Sequence, residues 1–253
     1  MNDTAQRLAS LLDLSHELGR EDRGWAILGE GNTSARIDSE QFLVKASGCS
    51  LRTLREEDLV ACRFKSVLKL LDKESVTDAE IESTLLASRI DRESKKPSVE
   101  TLFHAYLLSL PAVEFVGHTH AVAVNQVLCS PRGKDFAARR VFPEEIVCYG
   151  PRLALVPYAA PGLMLAREIR KVVKAFIRKN HSVPRVILLK NHGLISLGRT
   201  PEAVLAAMLM AEKAAQVWVG AAALGGPTLL PPEQVKRIAG RQDEEVRRRL
   251  MNL

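Results

Sequence analysis

No CxxC pair occurs among the four cysteines, Cys49, Cys62, Cys129 and Cys148, which excludes a zinc ribbon and a thioredoxin-like redox pair. Widely spaced cysteines fit a reducing compartment, so the cytoplasm is the expected location. Aromatic residues make up only 5% of the chain, and no basic run is interleaved with stacking side chains as single-strand binders require. The net charge of +6 is therefore read as permitting attraction to small anionic metabolites rather than to nucleic acid. The densest basic stretch, Arg247, Arg248 and Arg249, directly follows a short acidic one, Asp243, Glu244 and Glu245, as in a solvated helix face. No stretch approaches the roughly 20 apolar residues of a membrane span, and the first segment, "MNDTAQRLASLLDLSHELGR", lacks the uninterrupted apolar core of a signal peptide. No membrane association is expected.

What is present suits a globular fold. Hydrophobic residues at 46% and charged residues at 26% of 253 allow a sizeable core without staples. No repeat or linker divides the chain, so one domain over 1–253 is expected. The spacing of Leu8, Leu11, Leu12, Leu14 and Leu18 predicts an opening helix that ends near Gly19. "SARID" and "QFLVKAS" read as a hairpin, and "DLVACRF" as a third strand. The polar segment Lys65–Lys96 reads as a surface helix and loop, its helix capped by Thr77. A further helix is expected over about Ser98–Leu110, with Leu102, Phe103, Tyr106 and Leu107 inward. "VEFVGHTH", "EEIVCYG" and "LALVPYA" read as strands, "AVAVNQVLCS" and "GLMLAREIRKVVKAFIRKN" as helices, and "PRVILLKNHGLISLG" as two strands joined by a tight turn at Asn191 to Gly193. An alanine-rich helix opening at Pro201 and a last helix from about Pro232 complete the chain. Helices flanking hairpin-like strands predict an α/β fold, a single-domain αβα sandwich around a mixed, mainly antiparallel sheet.

Chemistry concentrates in the histidines. His118 and His120 lie one residue apart in "VGHTHA", and on a strand such neighbours face the same way, roughly 7 Å apart along it. His192, at the turn after an apolar strand, is the third candidate; taken alone, such a residue is more often a capping or surface group. Together the three match an open zinc site, with about three protein ligands and one position left for substrate. Of the others, His16 falls in the first helix, His181 in a polar loop, and His104 on an apolar-flanked helix, where a hydrogen-bonded structural role is expected. Glu100, four residues before His104, could serve as ligand or proton-transfer group. Gly29 and Gly31 in "LGEGNTSARID" fail the dinucleotide pattern, because Ser34 occupies the third glycine position and a strand follows. Amides at Gly31 and Asn32, with the turn from Lys45 to Gly48, could still form an anion nest or be ordinary turns.

The set "GNTS", "KASG", "PSVE", "GHTH" and "NHG", in that order, resembles the class II aldolase/adducin family, including its fuculose and rhamnulose phosphate aldolases. The resemblance implies that His118, His120 and His192 hold Zn2+ or another divalent metal, and that Glu100 is the acid/base. It further implies that Gly31, Asn32, Ser47, Gly48 and Ser98 bind a substrate phosphate. Val99 stands where those aldolases have a second serine, and a lost hydrogen bond to a charged group is worth roughly 1.5 to 3 kcal/mol. No tyrosine follows Gly225, leaving Tyr149 or Tyr158 for the family's tyrosine roles. The implied activity is aldehyde-lyase cleavage of a sugar phosphate or related hydroxyketone through an enediolate, in a homotetramer. Epimerase, dehydratase or decarboxylase chemistry on the same site, and a non-catalytic adducin-like scaffold, are the alternatives.

Overall fold

A computed structural model describes residues 3–250, and side chains within 4–246. Exposure of Arg247–Arg249 thus lies outside the described residues. The chain runs α1 (Asp3–Leu18), β1 (Asn32–Arg36), β2 (Gln41–Lys45), β3 (Leu59–Arg63), α2 (Phe64–Asp72), α3 (Asp78–Ser88) and α4 (Thr101–Leu108). There follow β4 (Phe115–Thr119), α5 (Val122–Leu128), α6 (Gly133–Ala138), α7 (Pro143–Tyr149), β5 (Ala154–Val156) and α8 (Leu163–Asn180). The last elements are β6 (Val186–Leu189), β7 (Gly193–Gly198), α9 (Pro201–Ala222), α10 (Pro232–Ala239) and α11 (Gln242–Leu250).

The strands form one sheet in the order β3-β2-β1-β4-β7-β6-β5. Every pairing is antiparallel except the parallel edge pair β5 and β6. Alternation along each strand feeds two separate cores. Phe42, Val44, Val116, Ile187 and Ile195 face α2, α3, α4 and α8, whereas Leu43, Phe115, Val186, Leu188 and Leu194 face α1, α5, α6, α7 and α9. Both faces are covered, as the αβα sandwich requires.

Four local readings change. "EEIVCYG" is helical: Pro143 opens α7, and the Glu145 carboxylate turns back to accept the Val141 and Phe142 backbone N–H groups at 2.6 and 3.2 Å. These start signals outweigh the β-branched run. The segment Lys65–Lys96 is less superficial than its polarity suggests, because Phe64, Val67, Leu70 and Leu71 of α2 are buried in the core. Thr77 does cap α3, its hydroxyl accepting Glu80 N–H at 3.2 Å. Helix α4 begins at Thr101, with Glu100 as its N-cap, and all eight of its residues are buried rather than one stripe. Finally, α9 is long and apolar enough to cross a membrane by length and composition, at 22 residues and mean hydropathy 1.3, but half of that window is buried inside the fold.

Candidate metal centre

Two neighbouring strands deliver the histidines. His118 lies on β4 in the middle of the sheet, on the side of Val116 and therefore facing α4, and His120 follows just past the strand end. His192 sits in the β6–β7 connection, which pairs Leu189 with Gly193 across the turn and places Asn191 in the left-handed region at φ 56°. A Cβ at Gly193 would meet Thr119 O at 2.3 Å, so only glycine lets this turn lie against the end of β4. Asn125, from α5, fastens the two pieces: its Nδ2 donates to His192 O at 3.0 Å and His120 O at 3.4 Å.

The three rings close into a triangle, with centroids 5.0, 5.1 and 4.9 Å apart and ligand atoms within 4.8 Å of one another. His118 Nδ1 lies 2.9 Å from Leu194 O, an acceptor only, so Nδ1 carries a hydrogen and Nε2 is the atom turned toward the other two rings. His120 Nδ1 lies 3.4 Å from Glu30 Oε1, a carboxylate oxygen that favours a hydrogen on that nitrogen. The two Nε2 atoms then point at each other across 3.2 Å. That spacing matches the roughly 3.3 Å that separates two ligands on a tetrahedral ion with bonds of about 2.0 Å. The donor set thus fits a divalent cation.

Glu100 Oε1 stands 3.3 Å from His118 Nε2. Burial alone would push the Glu100 carboxyl up, yet the charge and hydrogen bond of His118 hold it well below the usual carboxylate range. The Asn32 amide favours the same ionised form without completing a hydrogen bond of good geometry. For His118, burial acts downward but the charge and hydrogen bond of Glu100 prevail, and the imidazole is raised. His192 is pushed down to about 4 by burial and by its two neighbours, and burial also lowers His120. Both present neutral nitrogens, as ligands must. His104 is fully buried, its Nδ1 2.7 Å from Ser34 Oγ, and burial pushes it down to about 3. Phe103 stacks on His104 at 4.7 Å and meets the His118 ring edge-on at 5.7 Å, so this pair forms the floor beneath the centre.

The anion-binding candidates divide into two groups. Asn32 pairs with His118 across β1 and β4, and Gly31, at φ 71°, lies so close that a Cβ would meet His118 O at 2.8 Å. Ser47 and Ser98 instead wall a cavity of about 750 Å³, shared with Val99, Gly162, Met164 and Arg167, to which the histidines do not contribute. Ser98 connects it to the centre, its Oγ accepting Glu100 N–H at 3.2 Å. The Gly48 turn touches Gly29, and buried Lys45 ties the two loops by donating to Gly29 O and Cys49 O at 3.3 and 2.6 Å. Tyr149 is buried against Glu145 and Arg140, whereas Tyr158 is 65% exposed. Sequence reading passed over Glu30, Asn125 and Lys45 as site residues; the two glycines flanking Glu30 were the available sign of a loop pressed against something.

The fold is thus a mainly antiparallel αβα sandwich with three histidines gathered at the end of its middle strand. Residues 9–219 match the model of the Class II Aldolase and Adducin N-terminal domain family, and the chain belongs to that family. It is 31% identical over 72% of its length to the uncharacterised oxidoreductase YuxG of Bacillus subtilis, of which the match spans a quarter. It is 30% identical over 72% of its length to the 3-oxo-tetronate 4-phosphate decarboxylase of Haemophilus influenzae, covering 77% of that protein. Among solved structures, the N-terminal class II aldolase domain of a conserved Thermoplasma acidophilum protein superposes with a TM-score of 0.66 at 24% identity, covering 83% of this chain and 92% of that one. The relatives it matches carry different named activities, a 3-oxo-tetronate 4-phosphate decarboxylase and methylthioribulose-1-phosphate dehydratases among them, so membership by itself names no one reaction.

Proposed function

We propose that this protein is a zinc-dependent lyase that cleaves a carbon–carbon bond in a phosphorylated sugar or related hydroxyketone. The facing Nε2 atoms of His118 and His120, 3.2 Å apart beside His192, carry the reading. A divalent ion held there supplies electrophilic stabilisation of negative charge developing on the substrate's carbonyl and adjacent oxygens. The chain's own groups do the rest. Glu100, held ionised at the N-cap of α4 and 3.3 Å from His118 Nε2, accepts and returns the proton. The anionic end of the substrate is held by Ser47 and Ser98 in the adjoining cavity, with the Gly48 turn beside it and Gly31 and Asn32 next to His118, and Phe103 with His104 shuts water out from below. A homotetramer in the cytoplasm is the expected working state.

Decarboxylation is the second reading, favoured by the printed activity of the Haemophilus influenzae relative. It needs the same charge stabilisation, with carbon dioxide leaving instead of an aldehyde. Glu100→Gln tests the shared core: turnover should fall by about 10² to 10⁴ while zinc remains bound. Unchanged turnover removes Glu100 from the chemistry. Assaying ketose phosphates for aldehyde release, and phosphorylated 3-oxo acids for carbon dioxide release, separates the two reactions.

A further inference from the structure

The loop Trp25–Gly31 is fastened to the end of β4 at several points. His120 N–H donates to Trp25 O at 2.8 Å, Gly31 packs on the His118 carbonyl, and Asn32 continues into β1 in register with His118. Within the loop, Glu30 N–H donates to Ile27 O at 3.0 Å while Glu30 Oε2 accepts Ile27 N–H at 3.0 Å, a reciprocal clip. Leu28, a non-glycine residue at φ 55°, adopts a strained conformation inside that clip, and such strain persists only where the surroundings impose it. The clip leaves Glu30 Oε1 aimed at one group, His120 Nδ1, at 3.4 Å.

The geometry points to Glu30 as a positioning residue of the metal centre, whose carboxylate takes the His120 Nδ1 hydrogen and so turns His120 Nε2 toward the ion. This rests on the metal reading of the three histidines given above. His118 needs no such partner, because Leu194 O already serves it. His120 lies beyond the strand end, and among the described residues its Nδ1 faces a side chain, Glu30, rather than a backbone carbonyl. An acidic partner also makes the imidazole a better donor to a cation, as carboxylate–histidine–metal arrangements do. With both oxygens engaged, Glu30 is not free to act on substrate, although its side chain is 42% exposed. The "LGEG" stretch thus works as a brace behind a ligand.

Zinc alone, titrated into metal-free protein against a competing chromogenic chelator, tests this without substrate. Wild type should take one ion per chain. Glu30→Ala should bind it about 10- to 100-fold more weakly, the range typical of lost outer partners. Its metal-free thermal midpoint should fall by no more than about 2 to 4 °C, the effect of losing the one exposed hydrogen bond to Ile27. Glu30→Gln, which keeps one acceptor oxygen, should fall between. Zinc affinity of Glu30→Ala within about twofold of wild type overturns the role of Glu30 and leaves the metal centre standing. A wild-type protein that takes up no zinc overturns the metal reading itself, and this inference with it.

Discussion

Lowering the pH should unfold the metal-free protein partly through one residue, His104. Its ring is fully buried and pushed down to about 3, against about 6.5 in an unfolded chain. Between those values the unfolded state binds a proton that the folded state refuses, so stability falls as pH drops below about 6.5 and goes on falling toward 3. At pH 5 the unfolded histidine is almost wholly protonated and the folded one almost wholly neutral; the gap of about 1.5 units between pH 5 and 6.5 corresponds to about 2 kcal/mol lost relative to pH 8. Other buried groups titrate in the same window, and a non-titrating variant cancels them. His104→Gln can keep the contact to Ser34 Oγ, and its fixed effect on packing is the same at both pH values. Urea unfolding of both proteins at pH 8 and at pH 5 should therefore show the wild type losing about 2 kcal/mol more than the variant. A difference between the two proteins that does not change with pH refutes the argument, since it would mean that folded His104 accepts the proton.

Zinc at about 100 times its dissociation constant should raise the unfolding free energy by about 2.7 kcal/mol, and His192→Ala should abolish most of that gain; stability indifferent to zinc and to chelators would contradict the centre. Gly193→Ala forces a Cβ against Thr119 O, so the β6–β7 turn must shift; a loss of about 1 to 3 kcal/mol and weaker zinc binding are expected from melting and titration together. In the second core, Tyr149 donates to Glu145, and Arg140, which donates to the Phe136, Ala137, Arg139 and Gly150 carbonyls, has this carboxylate 3.8 Å away as its buried counter-charge. Glu145→Ala leaves a buried cation unpaired and should cost about 3 to 5 kcal/mol in denaturant unfolding.

Much of this was legible in the order of residues, for identifiable reasons. Alternation in "QFLVKAS" and around "NHGLISLG" marks strands because two faces of the sheet demand apolar neighbours of opposite parity, and the structure pairs them antiparallel. The i, i+2 spacing of His118 and His120 foretold their shared face, and His192 joins them. By contrast, "EEIVCYG" misleads, since its helix depends on Glu145 reaching back to Val141 and forward to Tyr149, contacts that composition does not display. The buried face of α2 was hidden among lysines, which extend outward while Val67 and Leu70 turn in. Glu30 and Asn125 escaped notice because each meets the histidines only after chain closure: one through a loop folded onto β4, the other through backbone carbonyls that carry no signature.

The apolar helix α9 has one more implication, for how the chain is made. Its 22 residues match a bilayer segment in length and composition, although in the fold half of that apolar stretch is buried. Every strand of the sheet, and the α1, α5 and α7 helices it packs on, lie before it in the chain. During synthesis the greasy stretch therefore leaves the ribosome last among its partners, with a finished surface waiting to receive it. Moving it earlier by circular permutation would expose it first and should divert a share of the product into aggregates or membranes.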